Sequence, residues 1–377
     1  MDFSPLTTFM DSLIERGIPG CDIIIQQDHK TLFRYMTGCR DREAGLKMRG
    51  DEMYFMYSVS KPVTVTAALQ LLEKGLFLLT DPVSDYLPEY RDLTVRQADG
   101  SVRPAAQPML IRHLFSMTAG LDYDLNKPEI RRALDEKGDR CTTRDIVRAI
   151  ASSPLVFEPG THWNYSLCHD VLAGLVEVVS GIRFADYVRK IIFEPLGMSK
   201  SAYHRAPDSD QDYAALYIYD DEQRAARRLP LKCDYIFSDL YDSGGAGMVS
   251  CVDDYALFAD ALACGGVGRS GARILGQPAI DLMRENQLGP AQMADFNWVQ
   301  LTGYGYGLGV RTAISRAPGG LLGPVGEFGW SGAAGAYLML DPERRLSVYY
   351  GQHMRNSMEP YVHPRIRNIV YSVLARG

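Results

Sequence analysis

The chain has 377 residues, 46% hydrophobic and 23% charged, which is enough apolar material for a full buried core and too balanced for disorder. Its formal net charge of -6 supplies no basic face for phosphate recognition, so no nucleic-acid partner is expected. Seven scattered cysteines, odd in number and never spaced C-x-x-C, point away from a disulfide framework or a zinc site and toward reduced thiols in a cytosol.

In chain order, MDFSPLTTFMDSLIERG has acids inside its apolar stretch and no basic start, so it predicts an amphipathic helix and not a signal peptide. CDIIIQQ (21–27) and TLFRYMTG (31–38) predict a hairpin closed by a polar turn. SKPVTVTAALQLLEKG (60–75) is apolar nearly all round and ends in Lys-Gly, the pattern of a buried helix with a glycine stop. From 80 to 205 the sequence is mainly helical, with helices predicted over 142–153, 166–181 and 184–197. Residues 206–240 are charged and irregular; the basic run Arg224–Arg228 there reads as a solvated loop. Helices follow at 251–266 and 278–286. Then YGYGLGVRT, GEFGWSG, GAYLMLD and LSVYYGQ form short β-rich runs before a closing helix over 363–375. No run of about 18 apolar residues occurs, so no membrane span is expected. With strands at both ends and helices between, the expected fold is α+β, an antiparallel sheet flanked by helices beside an all-helical lobe.

Three motifs carry chemistry. In S-V-S-K, Ser58 follows a strand-like run and opens the buried helix, because Pro62 has no N–H and must lie in the first turn. Amide dipoles there favour developing negative charge, and Lys61 returns to the same face three residues on. A desolvated lysine can lose its proton and serve as a base. Alone, the tetrad also fits an ordinary serine N-cap followed by a solvated lysine. In FEPGTHWNYSLCHD (157–170), Tyr165 precedes a helix. A phenol near a cationic lysine can have its pKa lowered and pass a proton to a leaving group; alone, it also fits a half-buried aromatic. In GEFGWSGAAGAYLML (326–340), Trp330-Ser331-Gly332 lies on a strand-like edge whose Ala333 N–H can point into a cleft; alone, it also fits a tryptophan closing a core.

In that order the three motifs resemble the serine β-lactamase and penicillin-binding-protein superfamily, closest to the class C-like, or family VIII, carboxylesterases. HLFSMTAGL (113–121), PLGMSKSAY (195–203) and SGGAGMVSCVDDYALF (243–258) extend the likeness over nearly the whole chain. No G-x-S-x-G elbow is present to favour an α/β-hydrolase. The resemblance implies a β-lactamase/transpeptidase-like α+β fold spanning 1–377. A sheet subdomain (1–80 with 240–377) and a mainly helical one (81–239) would enclose the site between them. It implies Ser58 as nucleophile, Lys61 and Tyr165 as base and proton relay, and the Ser58 and Ala333 amides as oxyanion hole. Neither metal nor organic cofactor is implied.

Two departures bear on substrate. Leu167 stands where relatives that cleave β-lactams or peptides carry an Asn, and Trp330 where they carry Lys or His. Losing a cation that docks a substrate carboxylate forfeits roughly 1.5–3 kcal/mol. Trp330, Ser331, Gly332 and Leu167 are therefore expected to form a pocket for an uncharged or aromatic ester. Tyr123, in GLDYD, is either a cleft wall or a surface-turn residue. His162 and His169 read as structural. The expected activity is carboxylester hydrolysis of small molecules. A β-lactamase, a D-aminopeptidase or other amide hydrolase, an acyltransferase, and a non-catalytic sensor on the same fold remain open, as does oligomeric state.

Overall fold

The computed structural model describes residues 1–375. Helix α1 (Ser4–Glu15) buries Leu6, Met10 and Leu13, one stripe of its surface. It leads into β1 (Gly20–Gln27) and β2 (Lys30–Asp41), joined by Asp28 and His29, both at positive φ (50° and 64°), as a tight hairpin turn demands. After β3 (Leu46–Lys47) and β4 (Met53–Phe55) comes α2 (Ser60–Glu73), buried on almost every face and stopped by Gly75 at φ 68°.

A mainly helical stretch of chain follows. The helix Thr143–Ala151 begins with a capping box, in which Thr142 Oγ1 accepts from the Asp145 amide and Asp145 accepts from the Thr142 amide. Helix α3 (Cys168–Ser180) ends at Gly181 in the left-handed conformation. The helix predicted over 184–197 is instead divided by a π-helical segment, Arg189–Phe193. Pro195 has no N–H to bond the Ile191 carbonyl and its ring crowds that oxygen, so the turn before it widens.

The 206–240 segment is not all irregular. Tyr217–Asp220 pairs with Ala225–Arg228, the latter containing most of the expected loop's basic run. The apolar stretch from Ala214 to Tyr219, followed by an acidic turn, is the strand signal that charge obscured.

β5 (Val249–Cys251) pairs with β4, and α4 (Val252–Ala263) follows it. β6 (Tyr304–Tyr306), β7 (Arg311–Ala313), β8 (Phe328–Gly329), β9 (Tyr337–Asp341) and β10 (Leu346–Gln352) complete an eight-stranded sheet, order β6-β7-β8-β9-β10-β1-β2-β3. Every neighbouring pair in it is antiparallel. Strands from the two ends of the chain meet at its centre, Ile24 of β1 opposite Tyr349 of β10.

Side-chain alternation splits that sheet cleanly. Ile23, Ile25, Met339 and Val348 pack with α1 and the closing helix α5 (Glu359–Leu374), whereas Ile24, Leu338 and Tyr349 pack with α4 and the helical lobe. α5 starts four residues earlier than predicted. Pro360 lies in its first turn, where a missing N–H costs nothing, and Pro364 is accommodated further in. Among the described residues, no helix is long and apolar enough to cross a membrane.

Candidate active site

Ser58 sits in a single 3-10 turn, Tyr57–Val59, between β4 and α2. Tyr57 adopts φ 48°, a left-handed conformation that costs a bulky residue about 1–3 kcal/mol and persists only where surroundings enforce it. The Met56 amide donates to Met248 O (3.0 Å), the Ser60 hydroxyl donates to Tyr57 O (2.6 Å), and the Met248 amide donates to Ser60 Oγ (3.2 Å). The turn that carries the partly exposed serine is thus tied on both sides to Met248, just before β5.

Lys61, fully buried, lies one turn on. Its Nζ is 2.8 Å from Gly245 O, 3.2 Å from Tyr123 OH and 3.4 Å from Ser58 Oγ. Burial lowers its pKa to about 7, against the opposing pull of Asp170 and then Cys168. A neutral amine has two N–H groups and one lone pair. With Gly245 O and Tyr123 OH as acceptors for those two hydrogens, the neutral form can turn its lone pair to the serine hydroxyl.

Tyr165 enters from the loop before α3, pinned by Asn164 N–H to Met117 O (2.9 Å) and Leu167 N–H to Asp122 O (3.1 Å). Its phenol oxygen accepts from Trp330 Nε1 at 3.1 Å. Burial raises its pKa far above the ordinary tyrosine value, with Ser58 and Trp330 only partly opposing. This reverses the expected lowering. Lys61 lies over the ring face, 4.5 Å from its centroid, and not in line with the phenol oxygen, so it gives the phenolate little support.

Two features behind the lysine were not singled out from sequence. Gly244 and Gly245 admit no side chain: a Cβ on Gly244 would lie 2.3 Å from His169 O, and one on Gly245 would lie 2.6 Å from Asp170 Oδ2 and 3.4 Å from Lys61 Nζ. Asp170, fully buried, accepts from Tyr241 OH (2.7 Å) and Ser243 Oγ (2.6 Å) through Oδ1, while Oδ2 has no partner among the described residues. SGGAG was visible as a motif, but nothing in the sequence shows which side chains it presses against.

The third motif meets the first across the cleft. A Cβ on Gly332 would come within 2.6 Å of Met56 O, two residues before the serine, so only glycine fits. Gly332 N–H donates to Ala336 O and Gly335 N–H to Gly332 O, leaving the exposed Ala333 amide outside the turn's own hydrogen bonds. Trp330 is 2% exposed and forms a wall behind Tyr165. Ser331 does not face the pocket as expected; its hydroxyl donates to Glu359 on α5, because side chains alternate along the strand edge. Leu167, expected to contact substrate, is 3% exposed and packed in the main core, where its size carries it inward from the start of α3.

Tyr123 is a cleft wall: its ring stacks on Tyr165 at 5.5 Å. Around these two rings stand Trp298 (5.4 Å from Tyr165), Trp330 (5.6 Å from Tyr165) and Tyr235 (5.6 Å from Tyr123). Trp298 and Tyr235 belong to no motif. His169 is buried and neutral, its pKa lowered to about 3 by burial and then Lys61, and His162 pairs with Asp295 at the surface. Among the described residues the trio able to share a metal, His29, Asp260 and Cys264, lies at the β1–β2 turn and the end of α4, outside this constellation.

A serine at a helix start, a buried amine one turn later, a phenol from a helical lobe and a free strand-edge amide define a serine-hydrolase type of site. The profile of the family described as Beta-lactamase matches residues 6–370, and the chain belongs to that family. It is similar to Esterase EstB of Burkholderia gladioli, 31% identical over 366 residues, covering 90% of this chain and 87% of the relative. It is similar also to Acyltransferase calJ of Penicillium decumbens, 27% identical, covering 86% and 80%. Among solved structures it resembles EstCE1, a hydrolase with promiscuous acyltransferase activity, with TM-score 0.78, 27% identity and 97% of each chain covered. The fold is likewise shared with the simvastatin synthase LovD of Aspergillus terreus, TM-score 0.78 at 21% identity over the full length of both chains. The mixed α+β architecture expected from sequence is therefore that of the β-lactamase and penicillin-binding-protein fold.

Proposed function

We propose that the protein cleaves carboxylic esters through an acyl-enzyme on Ser58. The observation that carries this is the fully buried Lys61 amine, its pKa near 7, facing Ser58 Oγ at 3.4 Å. Neutral Lys61 removes the Ser58 proton as Oγ attacks the ester carbonyl. The tetrahedral oxyanion is held by the Ser58 and Ala333 amides. Tyr165, protonated because burial raises its pKa, donates to the departing alkoxide as the C–O bond breaks and recovers a proton from the Lys61 ammonium. Water then attacks the acyl carbonyl as neutral Lys61 takes its proton; Tyr165 donates its own proton to Ser58 Oγ as the acyl C–O bond breaks and is reprotonated by the Lys61 ammonium, releasing carboxylic acid and free serine.

Substrates are small, uncharged or aromatic esters. Trp330 stands in place of a carboxylate-docking cation, and the surrounding walls are aromatic rings. The lobes 1–80 with 240–377 and 81–239 form the two sides of the cleft. The seven unpaired thiols support a cytosolic setting.

A second reading, acyl transfer to an alcohol other than water, is favoured by the activities named for EstCE1 and calJ. Turnover of p-nitrophenyl esters, nitrocefin and D-amino-acid amides, with and without added alcohols, separates these readings. Nitrocefin turnover well above ester turnover rejects the esterase assignment. Intact mass after a fluorophosphonate probe tests the nucleophile, which is wrong if Ser58→Ala labels like wild type.

A further inference from the structure

The turn that presents the Ala333 amide is held from behind by the closing helix. Ser331, at one end of the turn, donates its hydroxyl hydrogen to Glu359 Oε1. At the other end the Gly335 carbonyl bonds His363 Nε2 at 3.1 Å. Glu359 and His363 are one helical turn apart on α5, with His363 Nδ1 3.5 Å from the Glu359 carboxylate. The middle is fixed too, since the Met354 amide donates to Ala334 O at 3.0 Å. Gly335 adopts φ 98° with its α-carbon pressed on Gln352, where a Cβ would meet Nε2 at 2.2 Å. The His363 ring stacks on Tyr337 at 4.5 Å, so it cannot swing away. Burial disfavours the Glu359 charge, but the adjacent His363 and the Ser331 hydroxyl hold its pKa below the ordinary value and keep it an acceptor.

We propose that Glu359 and His363 are positioning residues, which fix the Ala333 amide through Ser331 and Gly335 so that it meets the oxyanion. The proposal rests on the acyl-enzyme reading above. Neither side chain touches substrate. An oxyanion donor stabilises charge only at about 2.7–3.1 Å, so a turn freed at one end loses transition-state binding while leaving ground-state binding intact. The loss therefore falls on kcat and leaves KM close to wild type.

The experiment compares wild type with Glu359→Ala, Glu359→Gln, Ser331→Ala, His363→Ala and the double variant Ser331→Ala/Glu359→Ala. It measures p-nitrophenyl ester kinetics per site titrated with a fluorophosphonate, and Tm. Glu359→Ala, Ser331→Ala and His363→Ala are expected to lower kcat roughly 10–100-fold, the range for a misplaced catalytic group. Glu359→Gln keeps an acceptor for Ser331 and recovers most of the rate. The double variant is no slower than Glu359→Ala, because both changes cut the same tether. Wild-type kcat in Glu359→Ala and Ser331→Ala overturns the proposal, as do a loss confined to KM or additive losses in the double variant. If Glu359→Ala does not fold, Ser331→Ala, the smaller change, decides. Wild type that fails to label at Ser58 defeats the acyl-enzyme reading itself, whereas a labelled wild type with unimpaired variants defeats only the positioning role.

Discussion

The amine of Lys61 is 0.6 Å closer to the Gly245 carbonyl than to Ser58 Oγ (2.8 against 3.4 Å). The glycine carbonyl is the anchor and the serine the target. With the amine held from the far side, its lone pair is directed without help from the substrate.

That arrangement fixes a pH dependence. The Lys61 pKa is lowered to about 7, so kcat/KM for a short p-nitrophenyl ester rises with pH, with its midpoint at about 7. A profile level between about pH 5 and 9 contradicts it. The same shift acts on stability. The folded pKa lies below the unfolded value of about 10.5, so between these limits the unfolded chain binds the extra proton. Resistance to urea from this group therefore grows with pH across about 7 to 10.5, and its penalty is complete below 7. Lys61→Met removes that slope.

Asp170 pulls the Lys61 pKa upward against burial. Asp170→Asn removes the charge and retains an oxygen for Tyr241 and Ser243, so the acid limb of the rate profile moves to lower pH. A shift in the opposite direction, measured on the same ester, means that Asp170 acts through packing instead.

Gly245→Ala places a methyl group 2.6 Å from Asp170 Oδ2 and 3.4 Å from Lys61 Nζ. The overpacking costs about 1–3 kcal/mol of stability. Activity falls further than the melting curve explains, since the amine is displaced from Ser58. Equal activity per folded molecule is the outcome that defeats this.

Trp298 is half-buried beside Tyr165 and Trp330. Trp298→Ala raises KM for aromatic esters relative to short aliphatic ones by up to about tenfold, the worth of an aromatic contact of ~0.5–1.5 kcal/mol. Paired kinetics on naphthyl and ethyl esters check it; an unchanged ratio removes Trp298 from the pocket.

What was legible in the sequence follows how local each signal is. Ser58 and Lys61 share one helix face, so spacing suffices. The sheet announced itself because β1 and β10 are short β-rich runs bounded by turn residues. Tyr165 and Trp330 are reached only through motif order, and the sign of the Tyr165 pKa shift is not legible because it is set by how deeply the fold buries the phenol. Asp170, Gly245 and Trp298 come together by tertiary approach, which no periodicity encodes. Ser331 was assigned to the pocket because a motif does not reveal which way a side chain turns at the end of a strand.

The central position of β1 has a consequence for biosynthesis. Its partner β10 begins at Leu346, roughly 320 residues after β1 ends, a delay of about 16–64 s at ribosomal speeds of about 5–20 residues per second. For that time the isoleucine-rich edge of the nascent hairpin has no strand to pair with, while the helical lobe already has its local contacts. The emerging chain therefore carries an unpaired, aggregation-prone strand edge until β10, close to its C-terminus, has left the ribosome.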